Sequence, residues 1–174
     1  RLTVINNVPL EEYIRGVVPA EMPTSWAYEA HKAQAIAARS YALANLGKRA
    51  RYGYDLKDTP EDQAYNGASA ETQSTNAAVE ETKGIVLTYN TKVISAYYSA
   101  SAGGQTNVNS WGSSVPYLRS VPSFDDNVKK NGHGVGMSQH GANNLAKQGY
   151  NAYQILQYFY KDVKFAKVNP QSYN

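Results

Sequence analysis

Glu21 stands between two prolines in Pro19-Ala20-Glu21-Met22-Pro23. Prolines at 19 and 23 predict a stiff connector off any regular helix, with the carboxyl group in a fixed place. Its neighbours Val17, Val18, Met22 and Trp26 are apolar and would favour the protonated form, as a general acid working near neutral pH requires. A solvated loop glutamate fits the same residues. Lys32 and Arg39 are seven residues apart and so share one face of a helix, while Gln34 and Tyr41 share another. Polar groups in an alanine-rich, buried helix need partners, either a substrate or loop carbonyls.

Two glycine-rich stretches complete the set. In Ser99-Ala100-Ser101-Ala102-Gly103-Gly104-Gln105-Thr106, Gly103 and Gly104 let backbone approach a ligand, and exposed N–H groups there can bind oxygen atoms; on these residues alone a plain flexible turn is the better reading. Gly132-His133-Gly134-Val135-Gly136-Met137-Ser138-Gln139-His140-Gly141 carries two of the three histidines. It fits neither a dinucleotide fingerprint nor a phosphate loop, and Gly-Met-Ser-Gln-His-Gly is not a nucleophile elbow. His133 and His140 lack the spacing of a helical two-histidine zinc site. Ser99 or Ser101 with His133 leaves a serine hydrolase open, although no activating pattern marks either serine.

The elements that must position these groups can be read from periodicity. Pro9 to Val18 starts with proline and two acids and is apolar at 10, 13, 14, 17 and 18, which predicts a short amphipathic helix. Thr24 or Ser25 would cap a second helix running to about Leu46, ended by Gly47. Glu71 to Lys83 reads as a third helix. Ile85 to Tyr89 and Lys92 to Tyr98 read as a hairpin turning at Asn90-Thr91. Ser138 or Gln139 to Gln148 and Asn151 to about Tyr160 read as helices, and Val163 to Val168 as a last strand. Helices and strands mix without a repeated βαβ unit, so the expected fold class is α+β in one domain spanning 1–174.

The 174 residues contain 17 Lys and Arg against 14 Asp and Glu, a formal net charge of +3 that suits an anionic polymer. The basic residues form no stripe with interleaved aromatics, which argues against nucleic acid as a partner. With no cysteine, disulfides, thiolate catalysis and cysteine-based zinc sites are all excluded. Fifteen tyrosines against three phenylalanines offer flat faces with polar rims, a surface that suits sugar rings.

Taken together, four ordered segments resemble the stage II sporulation protein D family, or SpoIID/LytB domain. They are Pro9 to Pro23, Glu29 to Leu43, Tyr97 to Thr106 and Gly132 to Ala142, with Asp62-Gln63-Ala64-Tyr65-Asn66-Gly67, Trp111-Gly112 and Pro116-Tyr117-Leu118 in the family's order between them. The resemblance implies lytic transglycosylation of peptidoglycan glycan strands, preferably free of stem peptides, with Glu21 as the single catalytic group. It implies a groove lined by Lys32, Gln34, Arg39, Tyr41, Ser99, Ser101, Gly103, Gly104, His133, Ser138 and Gln139. Within it Lys32 and Arg39 would hold a lactyl carboxylate, and His133 would orient sugar or glutamate. It implies an extracytoplasmic location, no cofactor, and, from members named as amidase enhancers, a cell-wall amidase as a possible partner. A wall-binding module that stimulates such an amidase is the rival reading. Some relatives bind zinc through a cysteine in the double-glycine loop, so no such metal is expected here. Relatives also carry a longer stretch where only Asp125 to Asn131 precedes Gly-His-Gly.

Overall fold

The computed structural model describes residues 2–108 and 115–173, so Trp111-Gly112 lies outside the described residues. Helix α1 (Leu10–Glu21) begins after Pro9, carries Glu11 and Glu12 in its first turn, and buries Leu10, Ile14, Val17 and Val18. It corrects the expectation that Pro19 ends it. Pro19 sits near the end, where its missing N–H costs one ladder bond, and the last turn still closes through Met22 N to Val18 O at 3.0 Å. The break comes at Pro23, which forces Met22 into extended backbone. Glu21 is therefore the last residue of a helix, not part of a connector.

Helix α2 (Tyr28–Ala44) is the axis of the molecule, and every residue from Ala30 to Ala42 is buried. Neither Thr24 nor Ser25 caps it. Those residues lie in a turn closed by Trp26 N to Pro23 O at 3.1 Å, so the helix starts only at Tyr28. Asn45 ends it before Gly47 is reached, its Nδ2 donating to Tyr41 O at 2.8 Å and Ser95 Oγ at 2.9 Å.

One apolar cluster packs α1 and Val79 against one side of α2; the other packs the remaining elements against its opposite side. Val79 belongs to α3 (Gln73–Glu81), which thus lies on the α1 side; the opposite side carries β1 (Ile85–Tyr89), β2 (Lys92–Val93), β3 (Tyr98–Ser99), β4 (Met137–Ser138), α4 (Gln139–Lys147), α5 (Ala152–Phe159) and β5 (Lys164–Lys167). They form a three-stranded antiparallel sheet in the order β2-β1-β5 and a two-stranded parallel pair β3-β4. This is the expected α+β class.

The hairpin turn lies at Asn90-Thr91, both residues with positive φ, which matches strand twist without a glycine. Its second strand is much shorter than expected. After Val93 the chain leaves the first sheet, and Tyr98-Ser99 pairs with Met137-Ser138 instead. This switch lays the double-glycine loop beside the Gly-His-Gly loop. Gly136 permits the close approach: its φ is +73°, and a Cβ would stand 2.0 Å from Tyr97 O.

The largest fully buried side chain among the described residues is Arg39, on α2 and 0% exposed. Its Nε and Nη2 reach Glu11 at 2.9 and 2.7 Å, and Nη1 donates to Ile85 O at 3.0 Å. That pair ties α1, α2 and β1 together. Replacing Glu11 by Ala strands a buried guanidinium and is expected to lower unfolding free energy by about 3–5 kcal/mol in urea titration. The apolar double replacement Glu11→Leu with Arg39→Met is expected to lose far less.

Candidate active site

Glu21 opens into a cleft of about 600 Å³. The end of α1, Tyr41 of α2, the loop carrying Lys48, Asp62 and Ala64, strand β3, residues 131–133 and the first residue of α4 all wall it. Three donors from three segments converge on the carboxylate. Oε1 accepts from Ala64 N at 2.8 Å and from the Tyr98 hydroxyl at 3.3 Å, and Oε2 accepts from Gln139 Nε2 at 3.1 Å. With Gln139 its one side-chain donor among the described residues, Oε2 keeps acceptor capacity.

Each donor is itself braced. Burial first, and then the charge of Glu21, raise the pKa of Tyr98 well above that of an ordinary tyrosine, so its hydroxyl is a neutral donor at any working pH. That hydroxyl also accepts from Gln63 Nε2 at 3.0 Å, and Gln63, fully buried, donates to Ala38 O at 3.1 Å and accepts from the Tyr13 hydroxyl at 2.9 Å. Gln139 Nε2 donates its second N–H to Gln34 Oε1 at 3.1 Å, which links the site to the middle of α2.

Gln139 is placed by its neighbour. Ser138 caps α4, its hydroxyl accepting from Gly141 N at 3.0 Å and donating to Asp125 Oδ2 at 2.6 Å. Asp125 is 0% exposed and also accepts from Ala102 N at 2.6 Å, Gly104 N at 2.7 Å and the Ser123 hydroxyl at 2.5 Å. Burial alone would raise its pKa, but the four hydrogen bonds outweigh burial and keep it below the usual carboxylate range.

The implied groove residues thus fall into three groups. Glu21, Tyr41, Ser99, His133 and Gln139 line the cleft together. Gln34 and Ser138 stand behind it, supporting Gln139 and α4. The remainder lie elsewhere, each for a physical reason. Lys32 is ion-paired with Glu29 at 3.3 Å and Glu81 at 3.2 Å, and Arg39 is committed to Glu11. Ser101 donates to Lys129 O at 2.7 Å. The double-glycine loop, carrying Gly103, turns its Ala102 and Gly104 N–H groups inward onto Asp125 instead of outward to a ligand.

His133 Nδ1 accepts from Val135 N at 2.9 Å, so that nitrogen is not available as a base. Burial chiefly, and the charge of Lys130, lower its pKa despite a hydrogen bond to the Tyr98 backbone. The imidazole is neutral near pH 7 and serves as a wall of the cleft. A zinc site through the double-glycine loop does not fit this chain: Ala102-Gly103-Gly104 carries no sulfur, and among the described residues no three His, Cys, Asp or Glu side chains gather.

The residues that sequence reasoning passed over are Lys48, Gln63, Tyr98 and Asp125. Gln63 and Tyr98 lie inside the quoted family-like segments and so carried a signal. Lys48 lies in a basic cluster that reads as a solvated face, and Asp125 sits in a loop without pattern.

The two buried carboxylates predict the acid limb of stability. For Asp62 burial opposes charge, but Arg49, Lys48 and the Lys57 N–H bring its pKa down to about 2. Asp62 and Asp125 both have folded pKa values below their unfolded ones. Their stabilisation is therefore complete above about pH 4 and is lost as pH falls through the folded values. Stability measured from pH 5 to pH 2 should fall steeply. In Asp125→Asn the slope should flatten, with about 1–3 kcal/mol already lost at neutral pH.

Comparison with known proteins finds that residues 1–89 match the family model described as stage II sporulation protein, SpoIID. An uncharacterised protein of Brachyspira hyodysenteriae is 41% identical over 131 residues, covering 74% of this chain and 36% of that protein. A Bacillus subtilis protein named amidase enhancer is 48% identical over 107 residues, covering 60% of this chain and 14% of that protein. The stage II sporulation protein D of Bacillus subtilis is 28% identical over 262 aligned positions, covering 95% of this chain and 76% of that protein. Since 262 positions exceed the 174 residues here, the matched stretch of that relative contains segments this chain lacks. The chain spans about a third and a seventh of the first two relatives' lengths.

Proposed function

The chain belongs to the stage II sporulation protein (SpoIID) family, and from that premise we propose that it is a peptidoglycan lytic transglycosylase acting through Glu21 alone. The observation that supports this reading is the placement of Glu21, fixed by Ala64 N, Tyr98 and Gln139 in a cleft of about 600 Å³. The other cleft carboxylates are engaged as ion pairs: Asp62 with Lys48 and Arg49, Glu61 with Lys57 and Arg49.

One carboxyl group is enough for this reaction. As acid, Glu21 gives its proton to the oxygen leaving C1 of an N-acetylmuramic acid. As base, it takes the proton from that sugar's C6 hydroxyl, whose oxygen bonds to C1 and closes a 1,6-anhydro ring. The proton returned to Glu21 balances the proton given, and no water is consumed. The second carboxylate that an ordinary glycosidase uses to activate water or to form a glycosyl-enzyme has no task. Ala64 N–H, Tyr98 and Gln139 hold the carboxyl group in one orientation through both transfers. Tyr41, Tyr97 and Tyr98 supply the aromatic wall against which sugar rings can lie. The setting is extracytoplasmic wall remodelling, in sporulation or otherwise. Among the described residues no helix is long and apolar enough to cross a membrane.

The name of the amidase-enhancer relative supports a second reading, in which the same cleft binds glycan and a partner amidase does the cutting. Digestion of stem-peptide-free glycan strands, followed by mass spectrometry for 1,6-anhydro ends, separates the two. The native chain is expected to yield anhydro ends, and Glu21→Gln to lower their rate by about 100-fold or more. Undiminished products from Glu21→Gln would refute the assignment. No products from either form, with stimulation of an added wall amidase, would establish the second reading.

A further inference from the structure

The cations that the family resemblance offers for a substrate carboxylate, Lys32 and Arg39, are consumed by Glu29, Glu81 and Glu11. Yet the cleft has a cation of its own. Among the described residues lining it, Lys48 is the one permanently charged basic side chain. It follows α2 directly, in a turn closed by Lys48 N to Asn45 O at 3.0 Å, and its side chain is 37% exposed.

Lys48 is aimed by two contacts that leave its charge under-neutralised. Nζ donates to Asp62 Oδ1 at 2.6 Å and to the Tyr41 hydroxyl at 3.1 Å, two of its three N–H donors. It also stands 5.7 Å from the centroid of the Tyr41 ring. Asp62 is not Lys48's alone, because it accepts Arg49 Nε at 2.5 Å and Lys57 N at 2.8 Å as well. In this cluster three cations, Lys48, Arg49 and Lys57, face two carboxylates, Glu61 and Asp62, so one positive charge is left over. Burial works against the charge of Lys48, but Asp62 and Tyr41 more than offset it and raise its pKa, so the group is an ammonium at neutral pH.

We propose that Lys48 is the specificity-determining residue of the cleft, its remaining N–H binding a free carboxylate on a sugar that lies along Tyr41 and reaches Glu21. This rests on the reading of Glu21 as acting on a muramic-acid linkage, whose lactyl group ends in a carboxylate only when no stem peptide is attached. An amide at that position is neutral and bulkier and gains nothing from the ammonium. Lys48 thus discriminates peptide-free strands from peptide-bearing ones, while Arg49, turned onto Asp62 and Glu61, serves the cluster without reading the substrate.

The test measures binding, so that it does not depend on turnover. In the Glu21→Gln chain, affinity is compared for peptide-free glycan oligosaccharides and for the same strands with their lactyl carboxylates converted to methyl amides. The carboxylate form is expected to bind about tenfold tighter, the worth of one charge-assisted hydrogen bond. Lys48→Met should abolish that preference by losing affinity for the carboxylate form, with thermal unfolding verifying the fold; Arg49→Met, which keeps the ammonium in place but returns Asp62 to Lys48 alone, should weaken the preference without abolishing it. Absence of a preference when Lys48 is intact, its survival in Lys48→Met, or equal loss in Arg49→Met would overturn the proposal. Failure of the native chain to make anhydro ends would instead strike the catalytic reading of Glu21 and leave this binding result standing.

Discussion

A helix buried on every side must find partners for each polar side chain it carries, and α2 carries many. Its alanines let neighbours approach closely, but His31, Lys32, Gln34, Arg39, Ser40 and Tyr41 each need hydrogen bonds. The surrounding elements are arranged to provide them. His31 reaches Pro23 O, Arg39 reaches α1 and β1, and the Ser40 hydroxyl accepts from Leu87 N at 2.8 Å. What looks like a row of ligand-binding residues is largely the set of clamps that dock the rest of the chain.

The cleft is where that clamping meets solvent. Gln34 passes its hydrogen bond outward to Gln139 and so to Glu21, and Tyr41 passes its own to Lys48. A second hub, Asp125, fixes the other wall by joining Ala102, Gly104, Ser123 and Ser138 on one buried carboxylate. The site's rigidity follows from these two centres, since every donor to Glu21 is held by a residue tied to α2 or Asp125, or by backbone. Preorganisation of this kind is what a reaction with a single acid-base group requires, because the same carboxyl oxygens must serve two transfers without reorientation.

Much of the fold was legible. Periodicity and turn chemistry located the helices, the Asn90-Thr91 turn and the last strand, because each signal is local. Pro19 misled, because a proline in a last turn sacrifices one hydrogen bond and the packing of Ile14, Val17 and Val18 offsets it. Thr24 and Ser25 misled for a similar reason: the turn after Pro23 places them before the helix begins. The split of the strand after Val93 could not be read, since it depends on Met137-Ser138 arriving from forty residues away.

The candidate cleft was legible at Glu21, Gln139 and His133, whose motifs bring them to its walls together. Lys32 and Arg39 were not separable from binding residues by spacing, because a buried cation with an acid partner and a ligand-binding cation present the same pattern along a helix. Only the partners distinguish them, and Glu11 and Glu81 lie far away in sequence. Lys48 was hidden for the opposite reason, as a member of a charge cluster that would usually be solvated.

The account turns on one carboxyl group acting without water, and isotope labelling reads that directly. With stem-peptide-free strands digested in water enriched in oxygen-18, the account predicts new muramic ends that are anhydro and carry no label. Reducing ends carrying one oxygen-18, made by the native chain and lost with Glu21→Gln, would show that water attacks C1 and would contradict it.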